Sequence, residues 1–188
     1  MVATTVAQLT VHHLEASRSH RILWLLEELG VDYEIERYER TRAGRAPRAL
    51  REVHPLGRSP VVTHAGKTIA ESGALVEYLL DAFGEGRLRP EASTEDFERY
   101  RFYIHFAEGS MMPPLLVKLI MGRVGDAIPL LGKIIAGKVD AGYTDPEIRS
   151  HLEFLEPALE DREWFAGALS GADIMMSYPV QAAVARSG

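Results

Sequence analysis

Glu71 and Ser72 stand where a short apolar strand gives way to a helix with an apolar stripe. At such a turn the first backbone N–H groups and the positive end of the helix dipole converge, so an incoming carboxylate finds donors in place, and the Ser72 hydroxyl adds one more. Glu71 beside it can hold an ammonium group. The two together suit an amino-acid head group carrying both charges; the plainer alternative is that Ser72 caps its own helix. A second pair, Ser17 and Ser19, precedes the first helical run with Arg18 between them. Either hydroxyl is an N-cap, or one of them donates a hydrogen bond to a bound thiolate. Serine cannot serve as a base there. Its part would be to stabilise ionised sulfur beside the helix N-terminus, with help from Arg18. Lowering a thiol pKa by two units takes ~2.7 kcal/mol, within reach of one charge-assisted bond plus a dipole.

Other chemistries find little support. The 188 residues contain no cysteine, which removes disulfides, thiolate zinc sites and a cysteine nucleophile. Seven histidines are present, but His12 and His13 are strand neighbours pointing to opposite faces, and no HExxH pair exists, so no metal site is expected. A serine hydrolase would need a GxSxG elbow, which is absent. A net charge of -6 offers no basic surface to hold nucleic acid. Lys118, Arg123 and Asp126 interrupt residues 111–131, the stretch nearest in character to a membrane span, so no membrane association is expected. Residues 1–5 have neither the basic start nor the apolar run of a signal peptide. A cytoplasmic address follows as the expectation.

The elements that must position these side chains can be read from periodicity. Residues 8–14 read as a first strand, and Ile22, Leu25, Leu26 and Leu29 form the buried stripe of a first helix closed by Gly30. Residues 32–38 alternate acidic with apolar, a second strand with one wet face. Residues 40–51 carry five arginines and read as loop plus a short helix with a solvated basic face, a ligand site being the alternative. Residues 60–63 and 67–70 form a hairpin joined by His64-Ala65-Gly66, and a helix follows with Leu75, Val76, Leu79, Leu80 and Phe83 inward. The order β-α-β-α-β-β-α predicts a mixed sheet with helices on both faces. Gly, Pro and charge in residues 84–93 have the texture of a linker, and everything beyond reads as helical. Ser93-Thr94-Glu95-Asp96, Asp145-Pro146-Glu147 and Ser170-Gly171-Ala172-Asp173 each look like a helix start.

Set beside one another, four of these segments resemble the glutathione transferase family, in the style of its cytosolic, serine-type bacterial and fungal members. The helix Ile22-Leu23-Trp24-Leu25-Leu26-Glu27-Glu28-Leu29-Gly30 comes first. His54-Pro55-Leu56-Gly57-Arg58-Ser59-Pro60 is similar to the family's Asn-Pro-x-x-x-Val-Pro stretch, and the Glu71-Ser72 turn follows at the family's separation. Trp164-Phe165-Ala166-Gly167 followed by Ser170-Gly171-Ala172-Asp173-Ile174 is similar to its helix-capping signature. Each motif is weak alone; four in register across most of the chain are specific.

The resemblance implies a thioredoxin-like glutathione domain over residues 1–84, a linker at 85–93 and an all-helical domain over 94–188. It implies that Glu71 and Ser72 hold the γ-glutamyl group, that the Ser59 backbone before a cis-Pro60 pairs with the cysteinyl part, and that Arg58 faces the glycine carboxylate. Tyr103, Phe106, Met111 and Met112 would line an electrophile pocket between the domains, plain core being the equal alternative. The chemistry implied is detoxifying conjugation of reduced glutathione, a co-substrate rather than a cofactor, to a small hydrophobic electrophile by a homodimer. A non-catalytic ligand-binding or protein-interaction relative is the alternative. The family's thiol-activating residue is Tyr, Ser or Cys near the first helix. With no cysteine and no tyrosine before Tyr33, Ser17 is the catalytic candidate, although counting back from Gly30 reaches Ala16. Residues 122–141 look like an additional helical segment against the family's pattern, and the chain ends at Gly188, where relatives usually add further helices.

Overall fold

The structure, a computed structural model, describes residues 9–186. Gln8, which the sequence assigns to the first strand, and residues 1–5, read above for a signal peptide, lie outside the described residues. The chain folds as two compact units, one ending at Arg89 and the other starting at Pro90.

The first unit runs β1 (Thr10–Leu14), α1 (His20–Leu29), β2 (Glu34–Tyr38), α2 (Ala49–Val53), β3 (Val61–His64), β4 (Lys67–Ala70) and α3 (Ser72–Phe83). The sheet order is β2-β1-β3-β4, with β1 parallel to β2 and antiparallel to β3. Along β1 the pleat sends successive side chains to opposite faces. Leu14 goes to the face covered by α2, where it is buried with Tyr38 and Leu50. His13 goes to the other, where α1 begins. The stripe Ile22, Leu25, Leu26 and Leu29 is buried in α1, and burying each such side chain contributes roughly 1.5–3 kcal/mol. Gly30 ends α1 at φ 66°, a left-handed position that glycine adopts without steric cost. The hairpin is tighter than the sequence reading. His64 pairs with Lys67 and belongs to β3, so Ala65 and Gly66 alone make the turn at φ 49° and 74°, the two-residue type that suits strand twist. Helix α2 takes in only the end of the arginine run, at Arg51, and Leu50 and Val53 supply its apolar contacts.

The second unit is helical. Thr94 caps α4 (Glu95–Phe106), its hydroxyl oxygen accepting from Phe97 N at 3.2 Å. It is half a capping box, since the residue that should reach back is Phe97. A π turn, Ala107–Met111, carries α4 into α5 (Met112–Ala127) without a break. Helix α6 (Leu131–Val139) packs back on α5, and the extra segment read at 122–141 is therefore the end of α5 and this hairpin. A helix begins at Asp145 with Pro146 in its first turn, as the sequence suggested, but Asp145 is not an N-cap, because the chain before it is already helical. A second π turn, Asp140–Thr144, runs α6 into α7 (Asp145–Leu159), and the Asp145 carboxylate instead meets Lys118 Nζ on α5. Helix α8 (Gly171–Arg186) begins with Ala172, Asp173, Ile174, Met175 and Met176 all buried, apolar all round as a central helix must be. Among the described residues no helix is long and apolar enough to cross a membrane.

Candidate active site

Three loops of the first unit meet at the C-terminal end of β1. The first leads into α1. Ala16 there has φ 46°, and Ser17 follows, 6% exposed, with its Oγ accepting from the Ser19 backbone N–H at 3.3 Å. That bond closes a serine turn just ahead of α1, so Ser17 shapes the entry to the helix without being its N-cap. Ser19 is fully buried and caps nothing. Its Oγ lies 2.8 Å from Ser17 Oγ, 2.9 Å from His13 Nδ1 and 3.4 Å from the Leu14 carbonyl. Outside this knot, Arg40 donates to the carbonyls of Glu15 and Ala16 at 2.9 and 2.8 Å, pinning the loop from its far side. One of the five arginines thus has a structural job that its composition did not show.

The second loop carries Ser59 and Pro60, joined by a cis peptide bond. The Ser59 hydroxyl donates to the His12 carbonyl at 2.8 Å and accepts from Leu14 N–H at 3.2 Å. It extends the β1–β3 ladder by a side chain after the backbone of β3 has turned away. Arg58 is exposed on a groove of about 940 Å³ lined also by Arg45, Arg48, Arg51 and Glu52. Three arginines of the basic stretch therefore converge with Arg58 while keeping their side chains in water. A cluster of four guanidinium groups against one carboxylate is suited to an anion.

The third loop is the β4–α3 turn. Glu71 occupies φ 74°, ψ 124°, a region unfavourable to a residue with a Cβ, and its side chain is exposed. Ser72 is the first residue of α3 and 5% exposed. Its Oγ accepts from Arg21 Nη2 at 2.9 Å, with Glu71 rather than Ser72 at the capping position. An acceptor role toward Arg21 leaves the Ser72 proton free for a ligand. Arg21, fully buried on α1, was missed in the sequence. The signal was available: it lies four residues before Leu25, on the inward stripe, and a guanidinium placed there needs an interior partner.

His12 and His13 diverge as the pleat requires. His12 Nδ1 lies 3.0 Å from Tyr38 Oη, and burial pushes its pKa below the usual value, partly opposed by Glu36. His13 is lowered by burial first and then by Arg37 and His20. Both are neutral near pH 7.

The four aromatic and methionine positions fall in the second unit. Tyr103, Met111 and Met112 are buried there, and the Tyr103 ring lies 4.5 Å from that of Phe165. Phe106 lines a cavity of about 550 Å³ with Glu98, Arg101, Phe102, His105, Gly109 and Ser110. In the same unit the Asp173 carboxylate accepts from Phe165 N–H, Ser170 N–H and Ser170 Oγ at 2.9, 2.9 and 2.8 Å. Ser170 Oγ in turn accepts from Ala172 N–H at 3.3 Å.

Comparison with known proteins places this geometry. Residues 7–81 match the N-terminal domain family of glutathione S-transferases. Glutathione S-transferase 1 of Saccharomyces cerevisiae is 35% identical over 189 residues, spanning 94% of this chain and 81% of that protein. Glutathione S-transferase 3 of Schizosaccharomyces pombe is 35% identical over 180 residues, spanning 93% and 74%. The crystal structure of a glutathione S-transferase from Actinobacillus pleuropneumoniae matches with a TM-score of 0.80 at 32% identity, over 95% of this chain and 79% of that one. With a sheet of order β2-β1-β3-β4, a cis-proline loop beside β1 and a helical second unit, the chain belongs to the glutathione S-transferase family.

Proposed function

We propose that this glutathione transferase conjugates reduced glutathione to a small hydrophobic electrophile, with the three loops at the end of β1 as its glutathione site. One observation carries the assignment. Leu14 lies between the Ser17–Ser19 pair and Ser59, its carbonyl 3.4 Å from Ser19 Oγ and its N–H donating to Ser59 Oγ, while Arg21 ties α1 to Ser72. Ser17, Ser19 and Ser59 thus gather around Leu14 through shared hydrogen bonds, and Ser72 is held to α1 by Arg21.

In this reading the γ-glutamyl ammonium meets Glu71 and its carboxylate meets Ser72 with the first N–H groups of α3. The cysteinyl backbone adds to the loop at Ser59, before Pro60, as a short strand. The glycine carboxylate faces Arg58 at the edge of the arginine groove. The sulfur then lies by Ser17, whose hydroxyl and helix dipole favour the thiolate. The thiolate attacks an electrophilic carbon of the co-substrate. Rate is gained by proximity and by stabilising the sulfur anion, without a covalent enzyme intermediate. The protein contributes no resident cofactor to this step. A cytoplasmic homodimer belongs to the same reading.

The test is thermal unfolding with reduced glutathione together with a chlorodinitrobenzene assay. Ligand at ~100 times its dissociation constant adds about 2.7 kcal/mol, so the melting temperature should rise. No shift at ~10 mM, about tenfold above the upper end of ordinary KM values, together with no turnover, would overturn the function.

A further inference from the structure

The hydroxyl chain at the start of α1 can be counted proton by proton. Each serine hydroxyl has one proton to give and two lone pairs, whereas a neutral imidazole nitrogen either carries a proton or accepts one. Ser19 Oγ touches His13 Nδ1 at 2.9 Å and Ser17 Oγ at 2.8 Å. Suppose His13 Nδ1 is bare. Ser19 then gives it its only proton, and the contact between the serines must be made by the proton of Ser17. Ser17 is turned inward and has nothing to offer a ligand. Suppose instead that Nδ1 carries the proton. Ser19 now accepts from His13, and its own proton goes to Ser17 Oγ, the nearer of its remaining acceptors, the Leu14 carbonyl being at 3.4 Å. Ser17 already accepts from Ser19 N–H, so its lone pairs are engaged and its proton is left over.

We propose that His13, carrying its proton on Nδ1, is the positioning residue that sets the direction of the Ser19–Ser17 chain and leaves the Ser17 hydroxyl free to donate to the glutathione sulfur. This rests on Ser17 being the donor to the thiolate. The frame around His13 is built for a fixed ring. Ser59 holds the peptides on both sides of it, at the His12 carbonyl and the Leu14 N–H. The groups facing it are Arg37, its partner across the parallel strand pair, and His20 on α1. Both oppose a second ring proton, as does burial. Near neutrality His13 therefore has one proton to place, and the tautomer decides what Ser17 can do.

The direct test is the tautomer. Ring-nitrogen chemical shifts of the full chain labelled in histidine, with His13→Asn to assign the signals, should show Nδ1 protonated and Nε2 bare in the glutathione complex. The reverse pattern overturns the proposal. The second test titrates the ultraviolet thiolate absorbance of bound glutathione. His13→Leu leaves Ser19 free to turn toward Leu14 or Ser17, so the bound thiol pKa should rise by ~0.5–1 unit, a threefold to tenfold loss of thiolate below the pKa. S-alkylated glutathione should bind as before, and His13→Asn, with an amide N–H near the place of Nδ1, should restore the wild-type value. In a Ser19→Ala background His13→Leu should change nothing; an undiminished effect there sinks the relay. Should Ser17→Ala leave the thiol pKa unmoved, the Ser17 assignment itself has failed. Should Ser17→Ala raise it while His13→Leu does not, only the role of His13 falls.

Discussion

Each unit of this protein has a buried serine network at the start of a helix, and the two are built to opposite ends. At α8, Asp173 takes three donors and Ser170 Oγ takes the Ala172 N–H. A carboxylate only accepts, so it gathers every nearby proton and the network closes. At α1 no carboxylate is present in the knot. Ser17, Ser19 and His13 are all groups that can give or receive, so the chain has a direction and ends in a proton with no partner inside the fold. A closed network contributes stability; an open one can contribute a hydrogen bond to a ligand. Serine at a helix start is common to both, and the group three to six residues away decides which it is.

The sharpest way to break this contrast is at Asp173. Asp173→Ala strips the acceptor from three buried donors and should cost about 3–5 kcal/mol, read as a fall in the denaturant midpoint. Glutathione affinity of the molecules that remain folded should not change. A loss below ~1 kcal/mol, the size of an ordinary exposed cap, would mean that the α8 network is not the anchor its geometry suggests.

At the β4–α3 turn the outcome should be mixed. Ser72→Ala and Glu71→Gln should each weaken glutathione binding by roughly 1.5–3 kcal/mol by calorimetry. Ser72→Ala also takes an acceptor from buried Arg21 and should lower stability by about 1 kcal/mol, whereas exposed Glu71→Gln should not. Stability loss without affinity loss in Ser72→Ala would make this turn a second closed network, and the ligand reading would go.

Ser17→Ala is the smallest change in free energy and the most informative about the open network. We expect a 10- to 100-fold lower kcat, roughly 1.4–2.7 kcal/mol, with the pH–rate profile shifted upward and the affinity for S-alkylated glutathione kept. Ser19→Ala should cost far less in rate, because Ser17 keeps its own proton for the sulfur and loses only the hydroxyl bond it accepts from Ser19. If Ser19→Ala abolishes turnover and Ser17→Ala does not, the direction of the chain has been assigned backwards.

Much of this was legible before any coordinates. The apolar spacing of α1 and α3, Gly30 as the stop of α1, and Ser170 with Asp173 are local signals, each decided within a few residues of chain, whereas the cis bond before Pro60 came only from the family resemblance. Local composition likewise located the start of α7 at Asp145, but not the π turn that joins it to α6 nor Lys118, 27 residues away, which meets its carboxylate. Arg21 shows the same division from the other side. Helical spacing alone puts it inward, but only the approach of α3 supplies the Ser72 oxygen that it meets, 51 residues on.

By itself the sequence determined which hydroxyls exist near the start of α1, that no cysteine could replace them, and that His12 and His13 must face opposite ways. Tertiary structure decided that Ser59, 45 residues from Leu14, would hold the end of β1, that Ser19 would be sealed from solvent, and that His13 would be the group it touches. The physical reason is that caps and stripes depend on backbone dihedrals shared by adjacent residues, whereas the direction of a hydrogen-bond chain depends on donors and acceptors that only the packed sheet brings within 3 Å.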